Sequence, residues 1–466
     1  MSKKKKNENE ININFSDDMS ATNVTGSSTY IETSKTNFLL ECGMFQGSSL
    51  KTNYKINSRK FKYKVKKLDY VICGHFHSDH FGLIPRLVAE GFKGKIVFPE
   101  GSFNIVKEMW LDGAYINGKD CESLNRKFTD RQFTPLYTKD DVHNALDMIV
   151  EYPFNKKVKL NDDFELEFMH SGHIINSASI MLYFNESRKK IYYTSDMGSA
   201  ITTSYFTEPL QKIDNATLVI SEATYSGKKR VIRSGDKAKD LEKIKLIVNE
   251  VKHSNGKILI PAFSLNRTQD VLMFLEESGV IDEIDVYVDS PLSQRVSKIY
   301  REKYPEFNKV ADKVKWVASG EDSKMVGNIS KPMIIISASG MCEAGRIIFH
   351  LQSCIGNSKN YVVFCGFSAN ATLASKIREK NNKTVTIRKR AYTNNAKTVE
   401  LCSFSSHIQK IELKQYLSSI NCEKIILKHS EEESKIAFAE ELRDELEKKC
   451  NSAKVICCDK NMKITL

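Results

Sequence analysis

The sequence predicts an α/β protein of two architectures: a β-rich domain interrupted by a doubly wound, parallel α/β domain. Three observations predict it. Short β-favouring runs punctuated by turn residues open the chain, strict alternation of apolar strands and helices sets in near Ala216, and strands ending in histidine return after about Ala391. At 466 residues the chain is long for a single core, so more than one domain is expected. The changes of rhythm divide it into a disordered basic tail over 1–10, a first domain over 11–213, an inserted domain over 214–394, and a return to the first domain over 395–466.

Composition narrows the function classes. Hydrophobic content of 41% and charged content of 27% are ordinary for a globular chain, and no apolar run approaches a membrane span. No signal-peptide pattern opens the chain, so the expected location is the cytoplasm, with no membrane partner. The net charge of +12 favours a polyanionic partner at the level of encounter, although Lys3 to Lys6 supply part of it from the polar start. Eleven cysteines stand singly apart from Cys457-Cys458, with no C-x-x-C spacing. That argues against a zinc ribbon or a disulfide framework and fits free thiols in a reducing compartment.

Taken in order, Ile11 to about Gly43 reads as a β-meander, with Glu41 at a strand end beside glycines that permit a tight turn. Leu68 to Cys73 is a buried strand. It feeds His75-Phe76-His77-Ser78-Asp79-His80, an H-x-H-x-D-H cluster on a strand-to-helix loop, in a chain with only 10 histidines. Imidazole and carboxylate suit zinc, and one metal would leave a histidine spare. A helix follows with Pro85 near its first turn, then a strand at Lys95 to Pro99 and a helical stretch from Phe103 to Tyr152, where Thr138 and Asp141 form a capping box. His143 in that stretch reads as a surface or packed histidine. Phe164 to Met169 is a strand delivering His173, and a hairpin of Ile180 to Phe184 and Lys190 to Thr194 delivers Asp196.

The inserted segment alternates strands at Leu218-Val219-Ile220, Lys257 to Pro261, Val286 to Asp289, Met333 to Ile336, Tyr361 to Phe364 and Thr384 to Ile387 with helices. Thr398 to Phe404 then reads as a strand leading to His407, and Lys424 to Lys428 as a strand leading to His429. Assembled, one ion would take His75, His77 and His173, and a second would take Asp79, His80 and His429, with Asp196 bridging. Two such ions can activate water and neutralise charge growing on a phosphoryl oxygen. Nitrogen-rich ligation favours zinc over magnesium.

These motifs resemble those of the metallo-β-lactamase fold, and the insertion resembles the β-CASP domain. The likeness is carried by the H-x-H-x-D-H cluster, Ser171-Gly172-His173, Thr194-Ser195-Asp196-Met197-Gly198, Ser221-Glu222-Ala223-Thr224-Tyr225, Ser403-Phe404-Ser405-Ser406-His407 and Leu427-Lys428-His429-Ser430-Glu431. It extends over nearly all of the chain from about Thr22. The resemblance implies an αββα sandwich with an inserted α/β domain, two Zn2+ per chain, and hydrolysis of RNA to 5′-phosphate and 3′-hydroxyl ends. It further implies that Glu222 orients His407, that His407 is the general acid, and that His429 is the last ligand of the second zinc. Asp79 and Glu41 complete the catalytic candidates, with Glu41 supporting the ligands from behind. Arg267 and Arg346 lie in inserted-domain motifs that either contact phosphates or serve packing and ion pairing.

Two departures stand out. Glu41 replaces the usual aspartate, which predicts a displaced carboxylate and altered metal affinity, and Ser430 replaces a common glycine. The alternatives are a non-catalytic RNA-binding scaffold, or a two-zinc hydrolase acting on DNA or a small ester. A homodimer is left open and no protein partner is indicated.

Overall fold

The structure is a computed structural model describing residues 10–201, 204–227, 233, 235–366, 368, 372–379 and 382–466. The lysines at 3–6 lie outside the described residues. The chain forms two units, one of Met1–Ala200, Thr207–Val231 and His407–Leu466, the other of Ile201–Phe206 and Ile232–Ser406.

The first unit holds two seven-stranded mixed sheets. One runs Lys463–Thr465, Asn12–Asn14, Thr29–Glu32, Asn37–Leu40, Tyr70–Ile72, Lys95–Pro99, Ile149–Tyr152; the other runs Lys454–Cys457, Lys424–Lys428, Leu218–Glu222, Lys190–Tyr193, Ala178–Phe184, Phe164–His170, Val158–Lys159. Alternation along the strands decides which side chains lie between the sheets. Ile31, Phe38, Leu40 and Ile72 of the first meet Phe164, Leu166, Ile180, Ile191, Ile220 and Ile426 of the second in one buried core. The opposite phase of the second sheet, including Val219, Ile425 and Leu427, packs on helices Lys410–Ser418 and Glu432–Lys448. Helix Phe103–Lys127 places Trp110 against Phe81 and Phe98, outside the first sheet. The result is the αββα sandwich.

The second unit is a six-stranded, wholly parallel sheet in the order Lys315–Trp316, Asp285–Asp289, Met333–Ser337, Lys257–Pro261, Tyr361–Cys365, Lys397–Leu401. Its central strands, such as the fully buried Met333–Ser337, are covered on both faces and so read as unbroken apolar runs. The capping box at Thr138 and Asp141 is present, and His143 is exposed.

Four strands differ from the sequence expectation. Ile149–Tyr152 is a strand at the edge of the first sheet, where a helical stretch was expected; its uniformly half-buried side chains carry no alternation to reveal it. Leu218–Glu222 pairs with Lys190–Tyr193 and Lys424–Lys428, so it belongs to the first unit. Lys397–Leu401 pairs with Tyr361–Cys365 and belongs to the second. Thr384–Ile387 forms a separate antiparallel pair with Arg390–Thr393 instead of joining the parallel sheet. For the first three the hydrogen-bonding neighbour, distant in sequence, decides membership; for Thr384–Ile387 a local hairpin does.

Candidate metal centre

Strand ends of the first unit bring the candidate residues together. The loop after Tyr70–Ile72 supplies His75 and His77, and the short helix Ser78–Phe81 supplies Asp79 and His80. Gly43 lets the neighbouring loop press against that helix: a Cβ there would lie 1.6 Å from the Asp79 carbonyl oxygen, so no other residue fits. Three imidazoles converge on one carboxylate oxygen. Asp196 Oδ2 stands 3.4 Å from His75 Nε2, 3.3 Å from His80 Nε2 and 3.6 Å from His173 Nε2, while its Oδ1 is 3.6 Å from His429 Nδ1. His173 Nε2 lies 3.2 Å from His77 Nδ1, and His429 Nε2 lies 3.5 Å from Asp79 Oδ2.

Among the described residues four groups of donor atoms are close enough to share an ion: His75, His77, His173 and Asp196; Asp79, His80 and His429; Glu41, His75 and His80; and Asp196, Glu222 and His429. The hydrogen-bond accounting tests whether metal fits. His75 Nε2, His80 Nε2, His429 Nε2 and Asp196 Oδ1 are all buried without a hydrogen-bond partner. Buried polar atoms are otherwise satisfied in native interiors, so four orphans in one cluster suit cations. Burial drives the pKa of His75 and His173 down, and brings His77 to about 3, helped by the neighbouring His75. These imidazoles are therefore neutral, the form that offers a lone pair. His80 goes the other way, because Asp196, Glu41 and Asp79 outweigh the effect of burial.

Glu41 lies behind the cluster, fully buried at a left-handed φ of 67°. Its Oε2 accepts from His80 Nδ1 at 2.7 Å, Ser27 Oγ at 2.6 Å and Tyr193 OH at 2.6 Å, and its Oε1 accepts from Ser195 Oγ at 2.6 Å. Ser195 Oγ is in turn 2.9 Å from His75 Nδ1. Burial raises the Glu41 pKa, but His80, His75 and Lys428 outweigh it and hold the carboxyl well below its usual range. The buried Lys428 Nζ contacts Asp18, Ser27 Oγ at 2.9 Å, Thr29 Oγ1 at 3.1 Å and Tyr193 OH at 3.2 Å. The carboxylate of this longer side chain meets four donors.

Glu222 ends its strand with both oxygens engaged, Oε1 accepting from Met197 N at 2.6 Å and Oε2 from Thr224 N at 3.2 Å. His407 Nδ1 lies 3.2 Å from each oxygen and 4.0 Å from Asp196 Oδ2. His429 is held at a φ of 55° by its N–H to Ser20 O at 2.7 Å, and its Nδ1 is 2.9 Å from Thr224 Oγ1.

The arginines belong to the second unit. Arg346 donates to Asp289 Oδ1 at 2.7 Å and to the carbonyls of Val317 and Ala318. Arg267 is buried, donates to Ser406 Oγ and stacks over Phe404. Both geometries favour packing and ion pairing. Sequence reasoning passed over Ser27, Tyr193, Ser195, Thr224, Asp18 and Lys428. A signal existed for Lys428, which shares the inward phase of Ile426 on an apolar strand.

The fold and the clustered ligands define a metallo-β-lactamase-type hydrolase scaffold, whose architecture implies divalent metal binding. Comparisons agree: the metallo-beta-lactamase superfamily profile matches residues 21–200, the Beta-Casp domain 268–377, and the Zn-dependent metallo-hydrolase RNA specificity domain 393–453. The chain belongs to the β-CASP family of this superfamily. It is 28% identical to the transcription termination factor FttA of Lokiarchaeum sp. over 84% of this chain and 63% of that one, and 27% identical to ribonuclease TTHA0252 of Thermus thermophilus over 90% and 93%. A probable RNase, MJ4, of Methanocaldococcus jannaschii is 27% identical over 86% and 89%. The chain thus spans under two thirds of the length of the Lokiarchaeum termination factor. A crystal structure of a protein of unknown function from Enterococcus faecalis V583 superposes with a TM-score of 0.56 at 9% identity, covering 98% of this chain and all of that one, which shows the fold alone.

Proposed function

We propose that this protein is a zinc-dependent ribonuclease that hydrolyses RNA phosphodiester bonds at two Zn2+ ions, leaving 5′-phosphate and 3′-hydroxyl ends. The observation that carries the proposal is two neighbouring donor sets, His75, His77, His173 and Asp196 beside Asp79, His80 and His429, with Asp196 Oδ2 3.3 Å from His80 Nε2 and buried imidazole nitrogens that no protein group satisfies. His75, His77 and His173 would hold one ion, Asp79, His80 and His429 the other, with Asp196 between them. Zinc bound there supplies Lewis acidity, polarising the phosphodiester and making water a better nucleophile at neutral pH.

The protein groups supply orientation and a proton. Glu222, its oxygens fixed by two backbone N–H groups, accepts from His407 Nδ1 and stabilises the imidazolium, whose Nε2–H is the proton given to the leaving oxygen. Glu41 accepts from His80 Nδ1 and so fixes the ring with Nε2, whose proton a bound cation would displace, turned to the site. The ribonuclease relatives and the RNA-specificity profile support RNA as the substrate. Eleven free cysteines support a reducing, cytoplasmic setting. No helix among the described residues is long and apolar enough to cross a membrane.

The test combines metal content with the ends of products from a labelled RNA, run beside single-stranded DNA and a nitrophenyl ester. Products ending in 2′,3′-cyclic phosphate would overturn the water-attack mechanism. His407→Ala should retain both metals and lose about 10² to 10⁴-fold in cleavage, the usual worth of a general acid. Full activity in that variant removes the acid role.

A further inference from the structure

Residues 51–67 of the first unit carry eight positive charges and no negative one, in a chain whose net charge is +12. Lys51, Lys55, Arg59, Lys60, Lys62, Lys64, Lys66 and Lys67 are all exposed. Like charges packed this densely repel one another and would by themselves favour an unstructured segment. Here they are held in place.

Helix Leu50–Asn57 is capped by Ser49, and Arg86 donates to the carbonyls of Asn57 and Arg59. Beyond the helix, burial alternates: Lys60, Lys62 and Lys64 face solvent while Phe61 and Tyr63 turn inward. Phe61 stacks on Tyr63 with centroids 5.2 Å apart, Tyr63 on Tyr30 at 5.5 Å, and the Arg86 guanidinium covers Phe61. The aromatics are the anchor that aims the lysines outward.

The partners of these cations are neutral. Lys51 lies over the Phe128 ring, and Lys62 Nζ reaches Asn461 Oδ1 at 2.9 Å. Asp17 stands beside the run and accepts the backbone N–H of Lys62. Among the described residues none of the eight forms an ion pair with a carboxylate, whereas Lys119, Lys245, Lys252 and Lys313 each do. Asp17 acts on Lys62 and Arg59 and Asp130 on Lys51 from beyond ion-pair distance, and eight cations beside so few carboxylates create a positive local potential.

The run is also tied to the metal centre. Asn57 Oδ1 accepts from Phe45 N at 2.7 Å and its Nδ2 donates to Phe45 O at 2.9 Å, while Met44 N donates to Ser78 O, the residue before Asp79. We propose that residues 51–67 form an RNA-binding strip that holds the sugar-phosphate backbone beyond the scissile bond, through charge and without reading sequence. The choice of RNA among polyanions rests on the ribonuclease reading above.

The test separates the two. Binding of a fluorescein-labelled oligouridylate is followed by anisotropy in chelator from about 50 to about 200 mM salt, and cleavage is assayed separately with zinc. In Lys60→Gln/Lys62→Gln/Lys64→Gln the slope of log affinity against log salt falls by about 2, at about 0.7 per lost single-strand phosphate contact. Affinity drops on the order of 10- to 100-fold. Lys156→Gln/Lys157→Gln/Lys159→Gln, an equal change of charge on a distant hairpin, keeps both. If the strip variant keeps wild-type slope and affinity, or both triple variants fall alike, the strip is refuted even where cleavage is normal. Strip-dependent binding without cleavage leaves the strip standing and removes the ribonuclease. Loss of binding to phosphatidylserine vesicles with RNA affinity intact would make this a membrane surface and overturn the assignment.

Discussion

Replacing Glu41 by glutamine tests the wiring behind the metal centre. Ser195 Oγ donates to Glu41 Oε1, so the hydroxyl can only accept from His75 Nδ1, and that leaves His75 Nε2 with its lone pair. In Glu41→Gln the amide oxygen must take the Oε2 position, where His80, Ser27 and Tyr193 all donate, so the NH2 group faces Ser195. Ser195 must then accept from the amide and turn its own proton toward His75 Nδ1. The tautomer of His75 reverses, and Nε2 gains a proton where a ligand atom is needed. The charge-assisted bond to His80 also becomes neutral, at a cost of about 1 kcal/mol. Support of this kind is generally worth 10- to 100-fold in metal affinity, or about 1.4 to 2.8 kcal/mol. We expect a loss in that range, larger for the His75 set than for the His80 set. Competition with a zinc chelator measures it, and nitrogen NMR of His75 reads the tautomer in the apoprotein. Two wild-type affinities with an unchanged tautomer would refute the reasoning. Glu41→Asp keeps the charge but falls one methylene short of the four donors, and should lose about tenfold or less.

Two further predictions concern stability. Asp270 is fully buried in the second unit, and burial, against the opposing charge of Arg267, raises its pKa to about 7. The folded state therefore binds the proton more tightly than the unfolded chain, so the contribution is complete below about pH 4 and is lost as pH rises through about 7, by at most about 4 kcal/mol. Thermal unfolding at pH 5 and pH 8 should show the second unit weakening with pH, and Asp270→Asn should flatten that slope; an unchanged slope would reject the assignment. Lys428→Met strands Asp18, which is 1% exposed, and should destabilise the first unit by about 3 to 5 kcal/mol in urea unfolding. Replacing both partners with apolar residues should recover part of that loss, and no recovery would mean the pair is not what the site depends on.

Much of the architecture is legible because local patterns persist in the fold. The strands at 257–261, 333–337 and 361–365 are unbroken apolar runs because both of their faces are covered. The H-x-H-x-D-H spacing after a buried strand places ligand atoms on one loop whatever the rest of the chain does. Where the pattern is silent, reading fails: Ile149–Tyr152 is half-buried throughout, and Thr384–Ile387 has the look of a core strand yet pairs only with its neighbour.

The sequence by itself determined the class of fold, the candidate ligand types and the strand ends that carry them, since each follows from periodicity or from residues a few positions apart. Only the tertiary structure decided which sheet owns Leu218–Glu222 and Lys397–Leu401, because pairing joins strands far apart in the chain. It also decided what Glu41 does. Its carboxylate meets Ser27, His80, Tyr193 and Ser195, with Lys428 behind them, and side chains separated by up to 401 residues are brought within hydrogen-bond reach. Hydrogen bonds act over a few ångströms of space, so a network closed by folding leaves no local mark in the sequence.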